Sequence, residues 1–401
     1  MVLPFVRDAL ASIEHTDSFE RVRRHLSLAR GRRRVSGLTA TARALCIPLF
    51  AHAAQATVVV LVADNKAAES LELTLRAASE LTGAIEPKRI LRLPAHDVLP
   101  FEGISPHPDV QEQRASVLWK IASNRASIVV APVEAACMRL FDAPYYAGLA
   151  QQLRRGEEVD IEMLLDHLRA IGYTQMDIVE MPGQFTRRGG ILDVYSPEMD
   201  RPVRIDFFGD EIESIRKFEP ESQRSSTPLD EALLLPLTET PVSEKLLAAV
   251  HTRLSRSRME ASGDDAATDL VTRAVAAGGV TVFPGWEFFA PVAGANRTLF
   301  DLFRNPQIFV EEPAMLQNQA ERWWNKVEQR HERAGIGGLI TAADIYLNPW
   351  ELKDRIATLP GLELDQLGAV DVLDEDLNAP AEVSFPSRPT LRFHGSIPTF
   401  V

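Results

Sequence analysis

The sequence predicts an α/β protein in which a parallel-sheet domain of nucleotide-binding type is interrupted by a small α+β domain. Three observations predict it. Residues 35–143 alternate apolar runs with amphipathic helical stretches, as a parallel sheet with covering helices requires. One glycine there opens the spacing of a phosphate-binding loop. Near residue 150 the pattern changes to short alternating runs, and helices return only after residue 236.

The elements follow in order. Residues 1–34 read as a helical lead-in, and "RVRRHLSLARGRRR" (21–34) carries seven arginines and no acid. That block is a solvated face, a patch for DNA, or a partner for acids elsewhere in the protein. In "VSGLTATARALC", Gly37 begins G-x-x-x-x-G-K-[ST], but Ala42, Arg43 and Ala44 hold the last three places. Ala42 adds a Cβ where backbone must approach phosphate, Arg43 is not a compact ammonium, and Ala44 cannot ligate magnesium. "ATVVVLVADN" suits a strand buried on both faces, and "KAAESLELTLRAASEL" a helix with Leu71, Leu75 and Ala78 on one stripe. "RILRLPA" reads as a strand, "HDVLPFEGISPHPD" as a Pro-rich loop, "DVQEQRASVLWKIAS" as a helix and "ASIVVAP" as a strand. That last strand ends in Ala131-Pro132, with Glu134 only later, so the acidic strand end that would partner a magnesium nucleotide is not expected.

In the small domain, "DIEMLLDHLRAIGY" is an amphipathic helix, and "QMDIVEM", "GGILDVYSP" and "PVRIDFFGDEIESIRKFEP" are alternating runs with a hairpin turn at Gly209-Asp210. Strand parity in "PVRIDFF" puts Val203, Ile205 and Phe207 in the core and Arg204, Asp206 and Phe208 on the opposite face. Phe208 there is either covered by a neighbouring element or part of a protein-binding face, where aromatics and arginine concentrate. Arg187 and Arg188 precede Gly189-Gly190, two glycines that allow close backbone approach. Strands "VTVFPG" and "QIFVEEP" then belong to the returning domain. Residues 361–377 carry six acids and no base, and read as an extended linker.

The boundaries expected are 1–148 and 237–358 for the interrupted domain, 149–236 for the small one, and 359–401 for a linker and the start of a further domain. At 401 residues, with 45% hydrophobic and 25% charged residues, two or three domains fit. A net charge of −13 argues against a general nucleic-acid-coating surface. Cys46 and Cys137 read as core residues of a reducing, cytoplasmic compartment. No Cys or His pair has metal-ligand spacing, no nucleophile motif occurs, and no cofactor is expected.

"QFTRRGGILDVYSPEMDRPVRIDFFGDEIESIRKFEPESQRS" and "LPFEGISPHPDVQEQRASVLWKI" closely resemble the UvrB-homology module of the bacterial transcription-repair coupling factors, over about residues 35–358. The resemblance implies a degenerate nucleotide-hydrolase, RecA/helicase-like fold whose inserted domain imitates UvrB and recruits UvrA. Arg188, Arg204 and Phe208 match the family's UvrA-binding positions. UvrB itself keeps an intact phosphate loop and a tyrosine-rich hairpin, whereas here the loop is broken and no tyrosine precedes Tyr145. The resemblance also implies that this chain is an N-terminal portion of an ATP-dependent DNA translocase that engages RNA polymerase and double-stranded DNA through other domains. Two further readings are a free-standing ATPase or helicase with an unusual loop, and a DNA-binding module using the arginine-rich lead-in. On the coupling-factor reading, Arg204 and Phe208 lie side by side with Arg188 near, and truncating any of them leaves folding nearly intact.

Overall fold

The computed structural model describes residues 10, 12–241, 243, 246–250, 252–253, 284–334, 340–366, 382–385 and 387–388. A seven-stranded, all-parallel sheet runs in the order Glu382–Ser384, Arg32–Ser36, Gly361–Asp365, Gln307–Glu311, Val58–Val62, Ile128–Pro132, Ile90–Arg92. Its central strands are apolar on both faces because helices cover both. Val59 and Leu61 enter one core with the helices Pro108–Ala122, Pro313–Ala334 and Pro349–Ala357. Val58, Val60 and Val62 enter the other, under Asp17–Leu28, Ala40–Ala54 and Asn65–Thr82. Leu71, Leu75 and Ala78 form the buried stripe that their spacing gives, with Asp64 capping that helix and Gly83 ending it. Both cysteines are buried and free, and burial pushes the Cys46 thiol up to about 12.

Two charge blocks read separately in the sequence meet in this sheet. The strand Arg32–Ser36 begins inside the lead-in expected to be helical, and Gly361–Asp365 lies inside the expected linker. They pair in register, Arg34 opposite Glu363. Arg32 reaches Glu363 at 3.4 Å, and Arg34 reaches Glu363 at 3.5 Å and Asp365 at 3.3 Å. Charged side chains hid both strands from a hydrophobicity reading, and mutual neutralisation lets them sit in a sheet. The linker assignment is corrected for residues 361–365 and 382–384, which are strands of the large domain. Residues 367–381 of the acidic segment, and Val280-Thr281-Val282-Phe283 of the expected strand "VTVFPG", lie outside the described residues.

The small domain is a six-stranded sheet in the order Ser225–Leu229, Glu211–Phe218, Val203–Phe208, Ile191–Val194, Gln184–Arg188, Thr174–Gln175. The helix Ile161–Ala170 packs on one face through Ile161, Leu164, Leu165 and Leu168. An antiparallel ribbon of Gln151–Arg154 with Glu231–Leu234 brings the inbound and outbound chain together, which is how an inserted domain leaves its host sheet intact. On the outbound side Glu239 is buried between Arg114 (2.5 Å and 3.0 Å) and His96 (2.8 Å). Opposite charge and hydrogen bonding offset the burial that opposes ionisation of Glu239, and hold its carboxyl down at about 2.

Candidate partner-binding face and the degenerate phosphate loop

Gly37 ends its strand with φ +78°, and Thr39 caps the helix Ala40–Ala54, as a phosphate loop would be placed. The space over it is filled by the chain itself. A Cβ on Gly37 would fall 2.3 Å from the Phe385 carbonyl oxygen. Ser387 Oγ donates to the Gly37 carbonyl at 2.6 Å and accepts from the Thr39 N–H at 2.8 Å. An N–H at the start of this helix is therefore already engaged by protein. Arg43 is 4% exposed, with Nη1 2.9 Å from both the Glu311 and Glu312 carboxylates. These acids correct the sequence reading: a buried strand, Gln307–Glu311, does end in acid. The signal was legible in "QIFVEEP", where an apolar run closes on two glutamates. Arg43, on the helix that follows the loop, places its positive charge against both acids. Among the described residues no cluster of His, Cys, Asp and Glu could hold a metal ion.

On the small domain, strand parity places the side chains as expected. Val203 and Ile205 are buried, and Phe208 is 80% exposed at the two-residue turn Gly209-Asp210. The Gly189-Gly190 turn lies at the same end of the sheet. A Cβ on Gly190 would sit 2.8 Å from the Phe207 carbonyl oxygen, so the close approach expected there is real. Cross-strand register sets Arg188 opposite Ile191 and Ile191 opposite Asp206, one same-face step from Phe208. Strand spacings put the Arg188 and Phe208 Cα atoms about 12 Å apart. Ile191 is exposed between them.

Arg204 departs from the expectation. It shares the face of Phe208, but Asp206 stands between them, with about 13 Å between the Arg204 and Phe208 Cα atoms by strand rise. Its Nε and Nη2 donate to the two oxygens of Asp193, at 2.7 and 2.8 Å, and Nη1 to the Gln223 carbonyl at 3.3 Å. The guanidinium also lies 4.9 Å from the ring centroid of the buried Phe218. The hydrogen bonds to Asp193 hold its proton more tightly than in a free guanidinium. Asp193 is 2% exposed, so removing Arg204 leaves a buried carboxylate alone. That pairing argues against the expectation that its truncation spares folding.

Nor is the polar face open throughout. Thr174–Gln175 runs parallel to Gln184–Arg188, so the chain between them must travel back before pairing. It does so as a strap, residues 176–183, beside the outer face. "QMDIVEM", expected as a strand, is mostly this strap. Gln184 Oε1 accepts from the N–H groups of Glu180 and Met181, turning the chain where a ladder would have continued. Arg188 Nη2 donates to the Asp177 carbonyl at 2.5 Å, and Gln223 Nε2 to that of Val179 at 3.4 Å. Val179 is fully buried beneath.

Residues 152–239, which take in this sheet and continue to Glu239, match the UvrB interaction domain family. A transcription-repair-coupling factor of Myxococcus xanthus is 31% identical over 315 residues, 75% of this chain and 26% of the relative. Its counterparts in Haemophilus influenzae and Escherichia coli are 27% and 26% identical, over 80% and 86% of this chain and 27% and 29% of their own lengths. The chain is a UvrB-homology module of the transcription-repair-coupling factor family. It spans little more than a quarter of the length of these curated relatives. No helix among the described residues is long and apolar enough to cross a membrane.

Proposed function

We propose that this module recruits UvrA through the exposed end of its small sheet and hydrolyses no nucleotide itself. The observation that carries the first half is Phe208, 80% exposed on a hairpin whose neighbouring strands are packed and paired. An aromatic ring held out by ordered backbone offers apolar area to a partner at little ordering cost. Arg188 adds directional donors beside it. Arg204 acts mainly by holding Asp193, Phe218 and the 219–224 turn in place. The second half is supported by the filled loop, where Ser387 and Arg43 occupy what phosphate and metal would need. In the whole protein such recruitment would bring excision repair to RNA polymerase stalled at a lesion, with polymerase and double-stranded DNA engaged by other domains.

The test is capture of purified UvrA by the immobilised chain, alongside Mg-ATP turnover by the chain alone. Capture without turnover is expected. Turnover above background would instead favour a free-standing ATPase, and failure to capture UvrA would remove the recruitment role.

A further inference from the structure

We infer that the strap is part of the recruiting surface, and that Arg188 contributes to binding largely by positioning it; this rests on the UvrA reading. The strap is anchored along its length. Met176 N donates to the Phe185 carbonyl at 2.9 Å, Asp177 O accepts from Arg188, Val179 is buried, and Gly183 N donates to the Tyr195 carbonyl at 2.7 Å. Even so, Met176, Ile178 and Met181 are 44%, 48% and 61% exposed. A strap that buries Val179 while turning three large apolar side chains to water has its inside and outside fixed by backbone hydrogen bonds. Ile178 follows the Asp177 carbonyl held by Arg188, whose strand end also carries Ile191 and Phe208, and Met181 lies beside Gln184, further along the same strand. Large apolar side chains turned to water from an ordered, anchored strap mark an interaction surface, and methionines adapt their shape to a partner's relief.

The occupant this surface fits is the same protein partner: an apolar patch on its surface, with acceptors placed for the remaining Arg188 donors. A lipid surface is disfavoured, because Asp177, Glu180 and Glu211 are exposed among these residues and would oppose anionic headgroups. Arg188 commits an N–H to the Asp177 carbonyl and is therefore a positioning residue for the strap.

The experiment measures UvrA affinity for the full chain carrying Ile178→Asp, Met181→Asp, or the milder Ile178→Ser and Met181→Ser, with Phe208→Ala beside them. Amide exchange across 184–208 reports folding. Each strap variant is expected to weaken binding about tenfold or more with exchange unchanged. Should an aspartate variant lose protection, the serine pair decides. Arg188→Lys, which can still donate to the Asp177 carbonyl, should recover most of the binding that Arg188→Ala loses. Arg188→Ala should add little in the Ile178→Ser/Met181→Ser background. Strap variants that bind like the parent while Phe208→Ala fails overturn this inference and leave the recruitment reading standing. If Phe208→Ala also binds like the parent, the recruitment face lies elsewhere and both fall.

Discussion

Truncating Arg204 should destabilise the small domain before it says anything about binding. Arg204→Ala removes both hydrogen bonds to Asp193, whose 2% exposure leaves its carboxylate without water. Breaking a buried pair by removing one partner costs about 3–5 kcal/mol. The Arg204 side chain keeps 19% exposure, which favours the lower end of that range. Lost contact with the Phe218 ring adds about 0.5–1 kcal/mol. A loss of about 3 kcal/mol corresponds to roughly 150-fold faster exchange of amides that open with the domain. The assay is hydrogen exchange by mass spectrometry over 191–208, which isolates this domain from the larger one. The double variant Arg204→Met/Asp193→Leu should recover most of the protection, because it leaves no buried charge. Exchange within twofold of the parent in Arg204→Ala would refute the reasoning, and would return Arg204 to a direct role at the interface.

Three further outcomes are expected. Phe208→Ala should leave exchange in 184–218 unchanged, because the ring is solvated; faster exchange would mean that it supports the sheet. Titration with Mg-ATP should give no binding at micromolar ligand, since Ser387 and the Arg43 carboxylate pair fill the loop, and saturable heat would contradict that. Acid should loosen the linker joining the two domains. Burial and Arg114 lower the His96 pKa below its ordinary 6.5, and Glu239 is held at about 2 against an ordinary 4.5. Both folded values are depressed, so their stabilisation is present at neutral pH. The His96 share declines as pH falls below about 6.5, and that of Glu239 between about 4.5 and 2. Glu134 and Glu311, raised by burial, act in the opposite sense. The decisive quantity is therefore the stability difference between parent and Glu239→Gln, which should shrink as pH falls from 5 to 3; a constant difference would contradict the assignment.

Much of the fold was legible because burial on both faces leaves uninterrupted apolar runs, as at Val58–Val62 and Ile128–Pro132. The strands Arg32–Ser36 and Gly361–Asp365 were not, because each carries charges that only the other neutralises. No local pattern reports a partner more than three hundred residues away. Strand parity placed Phe208 correctly, since alternation is a local property of extended backbone. It could not report the partners of Arg204, because Asp193 and the Gln223 carbonyl reach it from another strand and from the 219–224 turn. The strap itself was hidden because its residues alternate like a strand, and only the parallel pairing of Thr174–Gln175 forces the chain back. Glu311 and Glu312 close an apolar run that is plain in the sequence, but that run lies far along the chain from Gly37, beyond the inserted domain.

The most direct test of recruitment through this face is the dissociation constant of UvrA for the parent chain and for Phe208→Ala, measured side by side by calorimetry. Truncating a hot-spot aromatic costs about 2 kcal/mol, so the variant should bind roughly thirtyfold more weakly, with amide exchange in the small domain unchanged. Equal affinity in the two proteins would contradict the account.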